Sequence, residues 1–172
     1  MHTADCATAT LTSRALSAGR YALSGLLFSC LWALSAASAA VEMRSVTDLR
    51  DEAAAARAQN LVLMLEFSSD DCPYCRKLEK LFLLPMQRNA SYDSKVLIRM
   101  ISLSDFETVI DFEGKTLTTN EFATRYGVDF TPTLLFLNAD GIEMSERLVG
   151  IWSEDYYGWF IDSRIDEARS RL

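Results

Sequence analysis

Histidine and basic residues are both scarce in this chain of 172 residues. There is one histidine, so a metal or catalytic site that needs two histidines is excluded. Lys and Arg number 17 against 24 Asp and Glu, which gives a net charge of −7. Because clustered Lys and Arg are needed to bind phosphates, this balance argues against a general nucleic-acid partner. The length suits a single globular domain around one hydrophobic core.

The first forty residues lack isoleucine and valine, and their order is typical of a secretory signal peptide. Arg14 and Arg20 precede an apolar run over residues 21–34, and small residues ending in Ala37-Ser38-Ala39 follow it. A basic start, an apolar centre and an A-x-A end are the three parts of such a signal. This pattern predicts export of the protein.

We therefore expect residues 1–40 to be a cleaved signal peptide and residues 41–172 to form the domain, in the periplasm or secreted. The alternative is an N-terminal membrane anchor that is not cleaved. The apolar run of 14 residues is shorter than the roughly 17–25 that a spanning helix needs, although the Ala/Ser tail lengthens it.

Four cysteines suggest a zinc tetrad or two disulfides, but cleavage would remove Cys6 and Cys30 together with the only histidine. Cys72 and Cys75 would remain. Two ligands are too few for a structural zinc site within one chain, and haem attachment would need His instead of Arg at position 76. A structural disulfide would constrain the unfolded chain little, because the loop is so short. A redox-active dithiol is the interpretation we favour, with no metal and no cofactor.

The surroundings of the two cysteines favour redox chemistry. Residues 61–67 form a near-continuous apolar run, which predicts a strand buried on both faces. Polar residues 68–71 then indicate a turn and a helix cap, and C-P-Y-C opens a predicted helix. The N-terminus of a helix stabilises a thiolate. We thus predict that Cys72 is the attacking thiol and that Cys75 is the resolving thiol behind it.

Three segments, LVLMLEFSSDDCPYC, DFTPTLLFLNADG and RLVG, resemble the thioredoxin superfamily. The chain is most similar to the exported thioredoxin-like proteins of the SoxW type, over roughly residues 45–170. The resemblance implies an α/β, thioredoxin-like fold, with a central mixed β-sheet flanked by helices. It also implies a cis bond before Pro132 and a substrate groove that includes Thr131 and Pro132. Tyr74 and Phe130 are further candidates for lining this groove.

Glu66 is an acid within an apolar strand, six positions before Cys72. The resemblance implies that it relays a proton to and from Cys75; a shift of one residue in register would instead place it on the surface. Two more acids, Asp70 and Asp71, are expected to cap the helix. Both would raise the pKa of the Cys72 thiol, against the opposite effect of the helix dipole and of the basic residues at 76 and 77.

Periodicity and turn signals predict the remaining elements. The first predicted elements are helix 45–59, a helix from Cys72 to about Leu84, and strand 95–103; the second helix has Tyr74, Leu78, Leu81 and Phe82 on its apolar face, and Pro85 ends or kinks it. After these come a small hairpin near Glu113-Gly114, a capping box at 118–121, strand 133–137, a turn at Asp140-Gly141, and strand 142–149 with Gly150 after it. Ser153 is expected to cap the last helix, whose aromatic residues, including Trp152, Tyr156, Trp159 and Phe160, are expected to lie in the core.

The predicted activity is thiol–disulfide exchange that reduces protein disulfides, with disulfide-bearing or dithiol proteins as substrates. The resemblance implies a membrane electron donor of the DsbD type and suggests a link to sulfur-compound oxidation or cytochrome maturation. The alternatives are a dithiol oxidase or isomerase, and a non-enzymatic thioredoxin-fold binding module. A glutaredoxin-like use of glutathione rests on C-P-Y-C alone, since no basic groove is evident.

Overall fold

The computed structural model describes residues 42–104 and 106–172, so the predicted signal peptide lies outside the described residues. Helices α1 (Leu49–Gln59), α2 (Pro73–Leu78), α3 (Leu84–Arg88), α4 (Thr119–Arg125) and α5 (Tyr157–Arg169) accompany strands β1 (Val62–Ser68), β2 (Val96–Ser102), β3 (Thr108–Ile110), β4 (Thr116–Thr118), β5 (Thr133–Leu137) and β6 (Leu148–Val149); a π turn (Glu79–Leu83) joins α2 to α3, and a 3₁₀ turn (Ala90–Tyr92) follows.

Four strands form a mixed central sheet in the order β2-β1-β5-β6. Strand β1 pairs in parallel with β2 and antiparallel with β5, and β5 pairs antiparallel with β6. Strands β3 and β4 form a separate two-stranded hairpin, as predicted from the sequence. The mixed sheet flanked by helices is the architecture that the resemblance implies.

Helices cover both faces of β1, and every residue of this strand is buried. Its odd-numbered residues, such as Leu63 and Phe67, pack in one core cluster with residues of α1 and α4. Its even-numbered residues Val62 and Met64 pack in a second cluster with residues of α2 and α5. Because side chains alternate along a strand, Glu66 belongs to this second face.

Helix α1 begins later than predicted. It starts at Leu49, with Asp48 as its N-cap, because residues 45–48 are held in extended bridges to the sheet and to the β3 hairpin. Its end at Gln59 is confirmed, and Asn60 closes it in the left-handed conformation. The capping box before α4 is also confirmed: Thr118 and Glu121 each accept from the other's backbone N–H.

Pro85 does not end the helix that begins at Pro73. The π turn precedes it, and its ring then lies in the first turn of α3. A proline lacks the N–H that an uninterrupted α-helix would need there, and its ring would clash with the carbonyl four residues earlier, whereas a widened turn avoids both problems. The extra residue also shifts the buried face: Leu83 is buried, while Leu81 is 45% exposed.

Two predictions about the C-terminal part are wrong. The returning strand is confined to β6 and one isolated bridge at Glu143, although the turn before Gly141 forms as predicted, with the Gly141 N–H donating to the Asn138 carbonyl. Helix α5 begins at Tyr157 without a side-chain cap, so Ser153 does not cap it. Within the described residues, no helix has the length and apolarity required to span a bilayer.

Candidate active site

Cys72 and Cys75 form a disulfide at the start of α2, with their Cα atoms 5.3 Å apart. Cys72 is the N-cap residue, and its Sγ accepts a hydrogen bond from the Cys75 N–H at 3.0 Å. Cys72 keeps 8% of its surface exposed, whereas Cys75 is fully buried. The helix N-terminus therefore directs an N–H donor at Cys72 Sγ, a geometry that stabilises a thiolate once the disulfide is reduced.

Neither Asp70 nor Asp71 is the N-cap of α2, contrary to expectation, because Cys72 occupies that position. The Asp70 carbonyl instead accepts a hydrogen bond from Arg76 at 2.8 Å. Lys77 forms an ion pair with Glu154, which joins α2 to the segment before α5. These contacts fix the exposed side of α2 through side-chain bonds outside the CPYC motif.

The loop before β5 contacts the turn that precedes the CPYC motif. Its Thr131–Pro132 peptide bond is cis, the isomer that the resemblance implies, and Pro132 is buried. The hydroxyls of Thr131 and Ser69 lie 3.3 Å apart, within hydrogen-bonding distance. Because Ser69 immediately follows β1 and precedes the cysteines, this contact connects the cis-proline loop to the turn that carries Cys72.

Gly150, the residue after β6, contacts the cis-proline loop. Its N–H donates to the Pro132 carbonyl at 2.8 Å, and its carbonyl accepts from the Tyr157 hydroxyl at 2.6 Å. Its φ of +67° favours glycine, and no atom lies within 4 Å of where a Cβ would stand. Glycine therefore suits the left-handed backbone conformation at this position, and its lack of a side chain leaves open space beside the loop.

Of the residues predicted to line a substrate groove, the structure brings two together at one cavity. This cavity of about 360 Å³ is lined by Phe130, Thr131 and Ser69, among others. Phe130 is 69% exposed, as an apolar contact for a partner would be. Tyr74 is not part of the lining of this cavity. It is 59% exposed on α2, so the prediction that it lies on the apolar face of the helix is wrong.

Glu66 lies inside the protein, as the buried register predicts, with none of its surface exposed. Neither of its carboxylate oxygens has a hydrogen-bond partner among the described residues. Burial raises the pKa of this carboxyl well above its ordinary value, and the nearby Glu79 carboxylate raises it further. A carboxyl of this kind keeps its proton at pH values where an exposed glutamate has lost it.

Glu79 is a second carboxylate at this site, and it is not among the site residues predicted from the sequence. Glu79 is half-buried at the start of the π turn, and its Oε1 accepts a hydrogen bond from the Ser68 hydroxyl at 3.4 Å. Burial raises its pKa, against the lowering effects of that hydrogen bond and of Arg76. Its position four residues after Cys75 was the available signal, because residues i and i+4 share one face of a helix.

Aromatic residues near α5 were expected in the core, but several are exposed. Trp152 is 54% exposed and Trp159 is 64% exposed, whereas Tyr157 is fully buried. Phe160 joins the two tryptophans, since its ring centroid lies 5.5 Å from that of Trp152 and 5.0 Å from that of Trp159. The buried residues Tyr157, Ile161 and Ile165 recur every four positions along α5, and Trp159 lies midway between the first two, on the opposite side of the helix.

No group of three or more potential metal-ligating side chains exists within residues 42–104 and 106–172. The described part of the site thus consists of a disulfide, a cis-proline loop and two interacting carboxyls.

Comparison with known proteins agrees with this fold. A family model for the thioredoxin-like domain matches residues 49–163, so the chain belongs to the thioredoxin-like domain family. No curated protein matches.

Solved structures similar to this chain include the oxidised C-terminal domain of DsbD from Neisseria meningitidis, at 15% identity and a TM-score of 0.48, covering 70% of this chain and 98% of that one. The periplasmic thioredoxin SoxS from Paracoccus pantotrophus has 19% identity and a TM-score of 0.43, with 62% and 98% covered. The thioredoxin of Fasciola hepatica has 19% identity and a TM-score of 0.46, with 71% and 99% covered.

Proposed function

We propose that the protein is a thiol–disulfide oxidoreductase that reduces disulfides in other proteins through Cys72 and Cys75. The observation that carries this proposal is the disulfide between an N-capping Cys72 and a fully buried Cys75. Membership of the thioredoxin-like family supports it. The cis-proline loop, joined to the turn before Cys72 by the Ser69 and Thr131 hydroxyls, supports a substrate groove there.

In the reduced protein, the Cys72 thiolate attacks one sulfur of a substrate disulfide. A mixed disulfide forms, and the other substrate sulfur leaves as a thiolate that takes a proton. Cys75 then attacks Cys72 Sγ, the mixed disulfide breaks, and the second substrate thiol is released. The two electrons pass from the protein dithiol to the substrate, and the protein ends as the disulfide.

Glu66 is proposed to accept the proton of Cys75 as that thiol attacks. Its burial and lack of a fixed partner support this role, because a carboxyl with a raised pKa is a better proton acceptor near neutral pH than an ordinary one. Thr131, Pro132 and Phe130 are proposed to contact the substrate chain, and Tyr74 to contact it from α2.

The experiment is insulin reduction with dithiothreitol as electron source, comparing wild type with Cys72→Ser and Cys75→Ser. We expect Cys72→Ser to lose the enzyme-dependent rate by more than about 100-fold, because the nucleophile is gone. Cys75→Ser is the matched control, and it should trap a mixed disulfide that is visible by mass. Wild-type activity surviving in Cys72→Ser would contradict the proposal, as would an inactive wild type.

We also propose that the protein is exported, as the signal-like pattern of residues 1–40 suggests, and that it resembles the SoxW type in working outside the cytoplasm. A reductant there must be recharged with electrons, which supports a membrane donor of the DsbD type. The mass of the protein recovered from the producing cells tests export. A mass that lacks residues 1–39 or 1–40 is expected, and full-length protein in the cytosol would contradict it.

A further inference from the structure

Two carboxyls come from elements that meet at the end of β1: Glu66 lies in β1, and Glu79 begins the π turn after α2. Glu66 comes from the even-numbered face of β1, which packs against α2 and α5. Glu79 lies one helical turn beyond Cys75, and Ser68, two residues after Glu66 on the same strand face, donates a hydrogen bond to it. Ser68 thus connects the strand carrying Glu66 to the start of the π turn.

No cation faces Glu66 from the described elements that pack around it. Its register partners on β2 and β5 are Met100 and Leu134, which are apolar. From α5, Tyr157 lies close enough for Glu66 to raise the pKa of its hydroxyl, and that hydroxyl donates to the Gly150 carbonyl.

The charged groups that act on Glu79 differ from those around Glu66. Arg76 on α2 lies close enough to lower the pKa of Glu79, although its guanidinium also donates to the Asp70 carbonyl. Glu66 is wholly buried, whereas Glu79 is half-buried and so has access to water. The two carboxyls therefore differ in solvent access while they interact with each other.

We propose that Glu79 is a positioning residue of this site: Glu66 and Glu79 share one proton beside Cys75, and Glu79 is the member that exchanges this proton with solvent. Two carboxylates in one partly buried place cannot both be charged at little cost, so they titrate as a pair. Only the assignment of Cys75 as the proton donor rests on the proposed function.

In the resolving step, the acceptor is the pair in the state that has lost its shared proton. It takes up the proton of Cys75 as the Cys75 sulfur bonds to Cys72 Sγ. The electron pair of the broken mixed disulfide goes to the departing substrate sulfur. The proton held by Glu66 then leaves through Glu79 to water, which returns the pair to its starting charge. The reverse path supplies the proton to Cys75 when the disulfide is reduced again.

The test is a carbon-13 NMR titration of the glutamate carboxyls in the oxidised protein, which needs no activity. In wild type we expect a Glu66 transition above the ordinary glutamate range, coupled to one of Glu79. In Glu79→Gln the proton affinity of Glu66 should fall about tenfold, which is one pH unit, because the neighbouring negative charge is gone. Glu107→Gln, an exposed acid with the same charge change, is the matched control and should leave Glu66 unmoved.

A kinetic measurement extends the test to the reaction. The rate at which Cys75 resolves a preformed Cys72 mixed disulfide should rise with pH, and Glu79→Gln should move this rise to lower pH without changing its plateau. A Glu66 transition at the same pH in Glu79→Gln and wild type would overturn the proposal. If that transition moves but Glu66→Gln resolves at the wild-type rate at every pH, the shared proton stands and the proposed relay by Glu66 fails.

Discussion

On the α1 face of the sheet a buried acid has a charged partner, whereas Glu66 on the α2 and α5 face has none among the described residues. Glu52 accepts a hydrogen bond from Arg99 at 2.7 Å, and both side chains are about nine-tenths buried. Asp111, at the β3 hairpin, accepts from two backbone N–H groups and from Arg125. Glu66 is as deeply buried as either acid, yet neither of its oxygens is hydrogen-bonded within the described part of the chain.

The difference separates two buried acids with fixed partners from one that has no hydrogen-bond partner among the described residues. For Asp111, burial alone would raise the pKa, but the backbone donors and Arg125 outweigh it, and the pKa stays below its ordinary value. For Glu66 burial is not offset, and the pKa rises. Because Glu52 and Asp111 are paired and Glu66 has no hydrogen-bond partner among the described residues, Glu66 is the acid that we propose for proton transfer.

The largest expected effect comes from breaking the pair on the α1 face. Glu52→Gln removes the charge that compensates the buried Arg99 guanidinium, and it leaves the like charge of Arg44, which also pairs with Glu52, opposed by no carboxylate there among the described residues. We expect the free energy of unfolding to fall by about 3 kcal/mol. Urea denaturation at pH 7, followed by circular dichroism, measures it.

Asp140→Asn is the matched control, because Asp140 forms an ion pair with Arg57 in which both side chains are well exposed. Surface pairs contribute about 0–1 kcal/mol, so this variant should unfold close to wild type. A Glu52→Gln variant as stable as Asp140→Asn would show that the pair on the α1 face does not stabilise the fold.

A smaller effect of opposite sign is expected from Glu66→Gln. Because the folded pKa of Glu66 is raised, its protonated form contributes stability below the unfolded pKa of about 4.3, and this contribution is lost as pH rises through the folded pKa. The variant avoids that loss. It should therefore match wild type near pH 4 and exceed it by about 1 kcal/mol at pH 8, the low end of the cost of a buried polar group without a partner.

Urea denaturation of the oxidised protein at both pH values measures this difference. A variant that is less stable than wild type at pH 8 would mean that Glu66 has a stabilising partner, and the contrast between the two faces would be lost.

Much of this site could be predicted from the sequence. The apolar run of β1 indicated a strand buried on both faces, and an acid inside such a run had to be buried if the register was right. C-P-Y-C after a polar turn indicated a helix N-terminus, and the structure places Cys72 at the N-cap. The capping box at Thr118 was predicted because its two hydrogen bonds are local.

Other features depend on contacts that the local pattern does not contain. Glu79 was missed because its electrostatic effect on Glu66 depends on how the helical segment after Cys75 packs on the sheet. The exposure of Trp152 and Trp159 was not predicted, since helical periodicity does not say which of two aromatic neighbours faces inward. Asp71 is not the N-cap of α2 that we expected, because Cys72 takes that position and its sulfur accepts the capping hydrogen bond.

The π turn divides the helix behind the disulfide into two segments with different rotational phase. Leu78 and Leu83 are both fully buried although they are five residues apart, a spacing at which an unbroken α-helix, at 100° per residue, would be 140° out of phase. The front segment is therefore oriented on the sheet by Cys75 and Leu78, and the rear segment by Leu83 and Met86. Because the π turn inserts one residue, the rear segment is rotated relative to the front one. The orientation of the turn that carries the thiols therefore does not decide which residues of the rear segment are buried.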